Sequence, residues 1–329
     1  MWFNAAHEVS LRSRRECRAE SVDDDRARGG SRIAMSPGGF RTVAVIGKYQ
    51  APEVAEALLT LVAYLRAREL DVLVESGTAA AADAPGFDEA DYQQIAARAD
   101  LAIVIGGDGT MLATARRLAA GAVPLVGINQ GRLGFMTDIA RDEMTERIGE
   151  LLDGRYRRET RILLEASVRR DGRQIGEGLA LNDVVLNRGD AGRMIEFEVT
   201  IDGEFIYNQR SDGFIVATPT GSTAYALSAN GPILQPAVAG IALVPLCPHA
   251  LTARPITVCD TSVIDIRVMP QFDARLYCDG QTRIDLTGGD EIRVARSRHS
   301  IILLHPESYS YFAMLREKLR WSEAPRYPS

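Results

Sequence analysis

The chain has 329 residues, 46% hydrophobic and 25% charged, so it can bury a full core, and two domains are the starting expectation. A formal net charge of −6 excludes the basic footprint that nucleic acid or an anionic membrane surface demands of a partner. Four cysteines, Cys17, Cys247, Cys259 and Cys278, form no CxxC pair, which argues against a disulfide framework or zinc ribbon and fits a reducing cytoplasm.

Residues 1–34 mix Arg, Asp, Glu, Ser and Gly with few large apolar residues and contain no apolar signal core. Residues 1–40 are therefore expected to be a disordered extension, with Met35 as the expected start of translation. No apolar run approaches the roughly 20 residues that cross a bilayer.

The first convincing strand is Thr42–Gly47, followed by Pro52 and the helical spacing of Val54, Leu58, Leu61, Val62 and Leu65. Val72-Leu73-Val74, Leu101–Ile105 and Val123–Ile128 lack alternation and read as buried parallel strands with helices between them. Residues 41–140 thus predict a Rossmann-like, three-layer α/β domain with right-handed crossovers. Beyond Leu152 the period becomes two, clearest where Ile195, Phe197, Val199 and Ile201 alternate with polar residues. Asp171-Gly172 and Asp202-Gly203 have hairpin-turn chemistry, so residues 141–305 predict a mostly antiparallel β domain. Residues 306–329 predict a C-terminal helix, with Phe312, Leu315 and Leu319 on one side, packing back on the first domain.

The sharpest chemical signal is Gly106-Gly107-Asp108-Gly109-Thr110, between a strand and a helix. Glycines there let backbone N–H groups approach phosphate oxygens, the helix start adds partial positive charge, and Thr110 is a candidate cap. A phosphate cradle does not require the carboxylate of Asp108, which points to proton handling or a metal; a tight turn with Asp108 bonded to backbone is the plain alternative. Gly288-Gly289-Asp290 serves as an internal control, since Glu291 follows and no helix is expected, so that copy reads as a turn. With no GxxxxGK[ST] and only Lys48 and Lys318 as lysines, the chain is not a P-loop NTPase. The GxGxxG of a standard dehydrogenase is also incomplete.

A second signal runs from Asp212-Gly213 through Thr218-Pro219-Thr220-Gly221-Ser222-Thr223-Ala224-Tyr225-Ala226-Leu227-Ser228. Its hydroxyls and free N–H groups suit ribose and phosphate oxygens, although a capped helix start would explain them too. Asn182-Asp183, at the head of an apolar strand, sets an amide beside a carboxylate. Cys247-x-His249 is not a zinc spacing and reads as a packed loop, and His299 and His305 read as structural.

Together these motifs resemble the bacterial NAD kinases, as do Gly127–Phe135, Cys247-Pro248-His249 and Asp279-Gly280-Gln281, and the likeness spans roughly residues 41–320. Asp183 departs from the pattern, because many relatives carry Glu after the Asn. The resemblance implies transfer of the terminal phosphoryl group of ATP to the 2′-hydroxyl of the adenosine ribose of NAD, giving NADP, with Asp108 as proton acceptor. It implies that NAD lies between the domains on Asp108, Gly109, Asn182, Asp183, Arg193, Arg210, Asp212, Thr223, Ala224, Tyr225, Ala226, Leu227, Ser228 and Gln281. Arg210 would suit a 2′-phosphate by a bidentate pair, and relatives with Arg there generally prefer NAD over NADH. Mg²⁺ is implied as the divalent cation, with no protein residue assigned as its ligand. ATP or polyphosphate as donor, and a homodimer or homotetramer, are also implied. Two rivals remain at this point: a lipid kinase of the diacylglycerol or sphingosine type, which shares a similar glycine loop, and a non-catalytic NADP-sensing module.

Overall fold

The computed structural model describes residues 39–47, 52–82, 86–131, 133–189 and 193–321. The extension expected over residues 1–40 falls, up to residue 38, outside the described residues, as does the tail from residue 322.

The first part alternates strands and helices: β1 (Thr42–Gly47), α1 (Pro52–Ala67), β2 (Asp71–Glu75), α2 (Ser76–Ala82), β3 (Asp88–Ala90) and α3 (Tyr92–Arg98). It continues with β4 (Leu101–Ile105), α4 (Asp108–Leu118), β5 (Leu125–Asn129), β6 (Ile139–Ala140) and α5 (Met144–Leu152). All five residues of β4 and of β5 are buried, which is why neither strand alternates. β3 escaped sequence reading because Asp-Glu-Ala is short, charged and lies at the sheet edge.

The parallel strands run in the order β3-β2-β1-β4-β5. The chain moves outward in one direction through β1, β2 and β3, then restarts at β4 on the other side of β1. Ligands of such sheets bind beyond the carboxyl ends of the strands at this reversal, and there β4 feeds Gly106-Gly107-Asp108.

The second part begins with β7 (Arg157–Arg170), β8 (Arg173–Ala180), β9 (Asp183–Arg188), β10 (Ile195–Ile201), β11 (Glu204–Ser211) and β12 (Gly213–Ala217). It continues with α6 (Tyr225–Ser228), β13 (Gly240–Leu246), β14 (Ile256–Cys259), β15 (Ile264–Val268), β16 (Ala274–Cys278) and β17 (Thr282–Leu286), and ends with β18 (Glu291–His305) and α7 (Tyr311–Leu319). β18 joins the two parts: Leu303 near its end pairs in parallel with Leu125 of β5, while Ile292 and Val294 at its start pair antiparallel with β15. One twelve-stranded sheet therefore runs through both parts. A second, wholly antiparallel sheet, β14-β13-β12-β9-β16-β17, shares with it a core in which the Phe197 and Phe214 rings lie 5.6 Å apart.

Asp171-Gly172, Asp202-Gly203 and Asp279-Gly280 each have positive φ at both residues, as tight hairpins between right-twisted strands require. Gly288-Gly289-Asp290 is the turn expected of it, and Asp290 is tied to Arg170 and to the Thr287 amide. Thr110 does not cap α4: the helix begins earlier, Gly107 is the N-cap without a side-chain bond, and Thr110 lies under Gly106.

In α7 the inward pair is Met314 and Leu315, and Phe312, expected on the inner side, is 56% exposed. The helix phase explains the difference, because 311, 314, 315 and 318 make the inner stripe. Along it Tyr311 donates to the Leu234 carbonyl (3.3 Å) and the Lys318 ammonium lies 6.0 Å from the Phe135 ring. α7 thus touches both parts of the chain.

Gly127 of β5 lies directly beneath residues 136–137, where an added Cβ would come within 2.3 Å of the Met136 carbonyl oxygen and 2.8 Å of Thr137 Cα. Backbone cannot yield as a flexible side chain can. Gly127→Ala should cost about 1–3 kcal/mol or more, which thermal unfolding reads as a lower Tm.

Candidate functional site

Asp108 is the first residue of α4, where N–H groups lack intrahelical partners and negative charge is favoured. Its carboxylate is already held: Phe135 N donates to Oδ2 at 2.9 Å and Met136 N to Oδ1 at 3.0 Å. The loop comes this close because Gly134 has no side chain, and a Cβ there would lie 2.3 Å from Asp108 Oδ1. Around Gly107 and Gly109, by contrast, a Cβ would meet nothing within 4 Å. These two glycines are not demanded by packing, so the open space above them is available to a ligand.

The second half of the site is a turn gathered by Asp279. Its buried carboxylate accepts from Leu181 N (3.0 Å), Asn182 N (2.7 Å) and Asp183 N (3.2 Å), and its own N–H donates to the Asp183 carbonyl (2.9 Å). Arg116 of α4 forms an ion pair with the same carboxylate. Arg116 also donates to Gln281 Oε1 (2.6 Å), and Gln281 Nε2 donates to the Gly109 carbonyl (3.1 Å). Gln281 therefore spends both ends of its amide in joining the two halves.

Over this turn lies a cavity of about 290 Å³, lined by Asn182, Asp183, Val185, Asn187, Ala224, Tyr225, Tyr277, Asp279 and Gly280. Asp183, Val185 and Asn187 alternate along β9, and Tyr277 is the β16 partner of Val185. The Asn182 Oδ1 atom is buried with no hydrogen-bond partner, an acceptor that a ligand N–H or O–H would satisfy. A larger cavity, about 590 Å³ between Arg66, Asp71, Asp88 and Arg98, opens at the amino ends of the parallel strands, the wrong edge for a ligand of this sheet.

The hydroxyl-rich segment is largely its own scaffold. Ser222 Oγ donates to the Pro219 carbonyl (2.6 Å) and accepts from Leu234 N (2.9 Å), and Thr223 Oγ1 donates to the Thr220 carbonyl (3.2 Å). Thr218 bonds the Leu181 carbonyl, and a Cβ on Gly221 would come within 2.0 Å of the Asn182 carbonyl oxygen, so this segment is pressed onto the Asn182 turn. Ala226 is buried in a small core cluster and Leu227 is half-buried, whereas Ala224 and the exposed Tyr225 face the cavity and Ser228 is exposed.

Arg193 and Arg210 are exposed, and neither lines this cavity. Arg210 is the next-to-last residue of β11, just before the chain crosses into β12, and Asp212 at the crossing pairs with Arg188 at 3.2 Å. Gly213, next in the chain, is the β12 partner of Asn187, so Asp212 lies at the far end of the cavity's strand floor. Sequence reading did not pick out Asn187, Tyr277 or Arg116. Alternation from Asp183 along β9 identifies Asn187, whereas Tyr277 and Arg116 need the strand pairing and the fold.

Cys247 and His249 sit in a loop, but both are exposed instead of packed, because the loop is held through backbone, with His249 N donating to the Arg210 carbonyl. His305 is buried, bonded through Nδ1 to Asp138 Oδ2 (3.0 Å) and stacked on Tyr309. Burial and neighbouring Asp279 push the Cys278 thiol up to about 12, which removes it as a nucleophile. Among the described residues no group of three or more His, Cys, Asp or Glu could hold a metal ion.

The chain that bonds the start of α4 through Arg116 and Gln281 to this cavity matches two known family models. The family model for the ATP-NAD kinase N-terminal domain matches residues 43–156, and that for the ATP-NAD kinase C-terminal domain matches residues 181–305. The NAD kinase of Aromatoleum aromaticum is 64% identical over 290 residues, covering 88% of this chain and 97% of that protein. The chain belongs to the NAD kinase family. The NAD kinase of an Azoarcus species is 60% identical over 289 residues, 88% of this chain and 98% of that protein. Among solved structures, yeast NADH kinase complexed with NADH has a TM-score of 0.80 at 29% identity, covering 88% of this chain and 90% of that one. An NAD kinase from Archaeoglobus fulgidus in complex with ATP has a TM-score of 0.67 at 25% identity, covering 85% and 98% respectively. No helix among the described residues is long and apolar enough to cross a membrane.

Within this candidate site Asp183 has an unusual proton affinity. Burial first, and the charge of Asp279 second, raise its pKa to about 7. Between its ordinary value near 4 and about 7, the folded chain holds a proton that the unfolded chain has lost, so this residue makes stability fall as pH rises through that window. Asp183→Asn removes the effect. Chemical denaturation from pH 4 to pH 8 should show the variant gaining on wild type up to about pH 7, with the difference constant above it.

Proposed function

We propose that the protein phosphorylates NAD on the 2′-hydroxyl of its adenosine ribose, with ATP as donor, in the space between the start of α4 and the cavity over β9. The carrying observation is the continuous set of bonds from Gly109 through Gln281, Arg116 and Asp279 to the Asn182-Asp183 turn. It holds an anion-binding helix start and a nucleotide-sized cavity in one fixed relation, which two-substrate phosphoryl transfer requires.

In this reading the ribose oxygen attacks the terminal phosphorus, the bond to the ADP oxygen breaks, and Asp108 takes the hydroxyl proton. Phe135 N holds Oδ2 while Met136 N and Thr137 Oγ1 hold Oδ1, which fixes the carboxylate's orientation and leaves a lone pair on Oδ2 for that proton. The free N–H groups at the start of α4, with Gly107 and Gly109 open above them, receive phosphate oxygens. Asn182 and Asp183 hold the dinucleotide, with the orphaned Asn182 oxygen accepting from it and Asp183 near neutrality presenting a hydroxyl or a carboxylate. Tyr225 supplies an exposed ring at the rim, and Ala224 with the Thr223–Ser228 backbone forms the wall. Arg210, Arg193 and Asp212 serve the far end, where Arg210 is the cation suited to a phosphate.

Mg²⁺ fits this donor set as an ion carried by the substrate phosphates, because it keeps several waters and needs only one or two carboxylates from protein, and Asp108 at the start of α4 would be the candidate. When bound it neutralises phosphate charge. The reading also takes in polyphosphate as a substitute donor, a cytoplasmic setting, the division into residues 41–140, 141–305 and 306–329, and assembly into a homodimer or homotetramer. Exposed Phe205 on the edge strand β11 and exposed Val238, Leu251 and Ile256 suit such self-association.

The test is a coupled assay of NADP formation from NAD, ATP and Mg²⁺ with Asp108→Asn beside wild type. Loss of the base should lower kcat by about 10²–10⁴-fold with KM for NAD within several-fold. Comparable loss of NAD binding would reassign Asp108 to recognition. Asn offers one oxygen where two N–H groups now bond, so Tm is followed in parallel.

A further inference from the structure

Arg116 lies about two turns along α4 from Asp108 and has no place in the chemistry so far. Its side chain is 13% exposed, and its guanidinium faces the carboxylate of Asp279, whose side chain has no exposure at all. One nitrogen engages Asp279 and another engages Gln281. A planar fork serves two acceptors at once, which an ammonium on a flexible stem does not reproduce. Behind Asp279 are the three amides of Leu181, Asn182 and Asp183, and behind Gln281 is the Gly109 carbonyl. Without the guanidinium, Asp279 would be a buried charge beside buried Asp183, and the turn it gathers would lose its ion pair to α4, leaving only the Gln281 bond to Gly109. Arg117, its neighbour, points elsewhere, lying over the Tyr92 ring at 4.6 Å.

The geometry assigns Arg116 as a positioning residue for phosphoryl transfer: through Asp279 it shapes the turn that holds the dinucleotide, and through Gln281 it sets that turn's distance from the start of α4. This rests on the NAD kinase reading above. The two arms separate in substitution. Glutamine removes both; lysine keeps a charge for Asp279 and gives up the simultaneous hold on Gln281.

The experiment compares wild type with Arg116→Gln, Arg116→Lys and Arg117→Gln. It measures kcat and KM for NAD at saturating ATP and Mg²⁺, NAD affinity by calorimetry without ATP, and Tm. Arg116→Gln should raise both KM and Kd for NAD about tenfold or more and lower kcat by at least as much. Arg116→Lys should recover Kd to within about threefold of wild type while kcat stays low, and Arg117→Gln should match wild type. A merely structural role reduces the active fraction and Tm, which lowers kcat but leaves KM and Kd in place. An active wild type alongside Arg116→Gln with NAD affinity within about twofold overturns the assignment and leaves the kinase reading standing. A wild type that binds NAD but forms no NADP overturns the kinase reading instead, and the calorimetric comparison then decides whether Arg116 holds the turn.

Discussion

The arrangement of the site depends on one buried carboxylate, Asp279, which takes three backbone N–H groups on one side and a guanidinium on the other. A charge removed from water is tolerable only when its lone pairs are filled, and here the donors come from both parts of the chain. The same bonds that keep Asp279 buried therefore align α4 with the Asn182-Asp183 turn. The tight turn at Asp279-Gly280 aims the carboxylate between them, with φ of +51° and +64°.

The second half of the arrangement concerns Asp108. Two amides from residues 135 and 136 grip it, and they reach it because Gly127 below and Gly134 beside it leave no side chain in the way. Carboxylates in general are weak bases for a hydroxyl, so most of the rate acceleration in such a site has to come from placement and phosphate-charge neutralisation. Alignment is what the surrounding bonds supply. The segment Thr218–Ser228 belongs to the same scheme, since the hydroxyls of Thr218, Ser222 and Thr223 bond to nearby backbone carbonyls and Gly221 lies pressed onto the Asn182 carbonyl.

Much of this could be read in the chain. Buried runs such as Leu101–Ile105 and the alternation of Ile195–Ile201 gave the two textures, because burial on both faces and on one face leave different periods. Gly106–Gly109 stood out through chemistry and position as the place proposed for phosphate. Harder to read were features whose meaning lies in pairing. β3 is too short and charged to signal itself, and β18 looks like one more strand until its partners show it joining the parallel and antiparallel parts. Arg116 resembles any basic residue in the last turn of a helix, and only the fold brings Asp279 to it. The donors Phe135 N and Met136 N are backbone groups with no signature in residue type. Phe312 was misplaced because α7 is short and two helical phases fit its apolar residues almost equally.

The most direct measurement is a crystal structure of the protein with NAD. The account predicts the dinucleotide in the cavity over β9, in contact with Asn182, Asp183 and Tyr225, with the 2′-hydroxyl of its adenosine ribose facing Asp108 and the bonds from Arg116 to Asp279 and Gln281 intact. NAD bound elsewhere, or bound with that hydroxyl turned away from Asp108 and the Arg116 bonds broken, would contradict it.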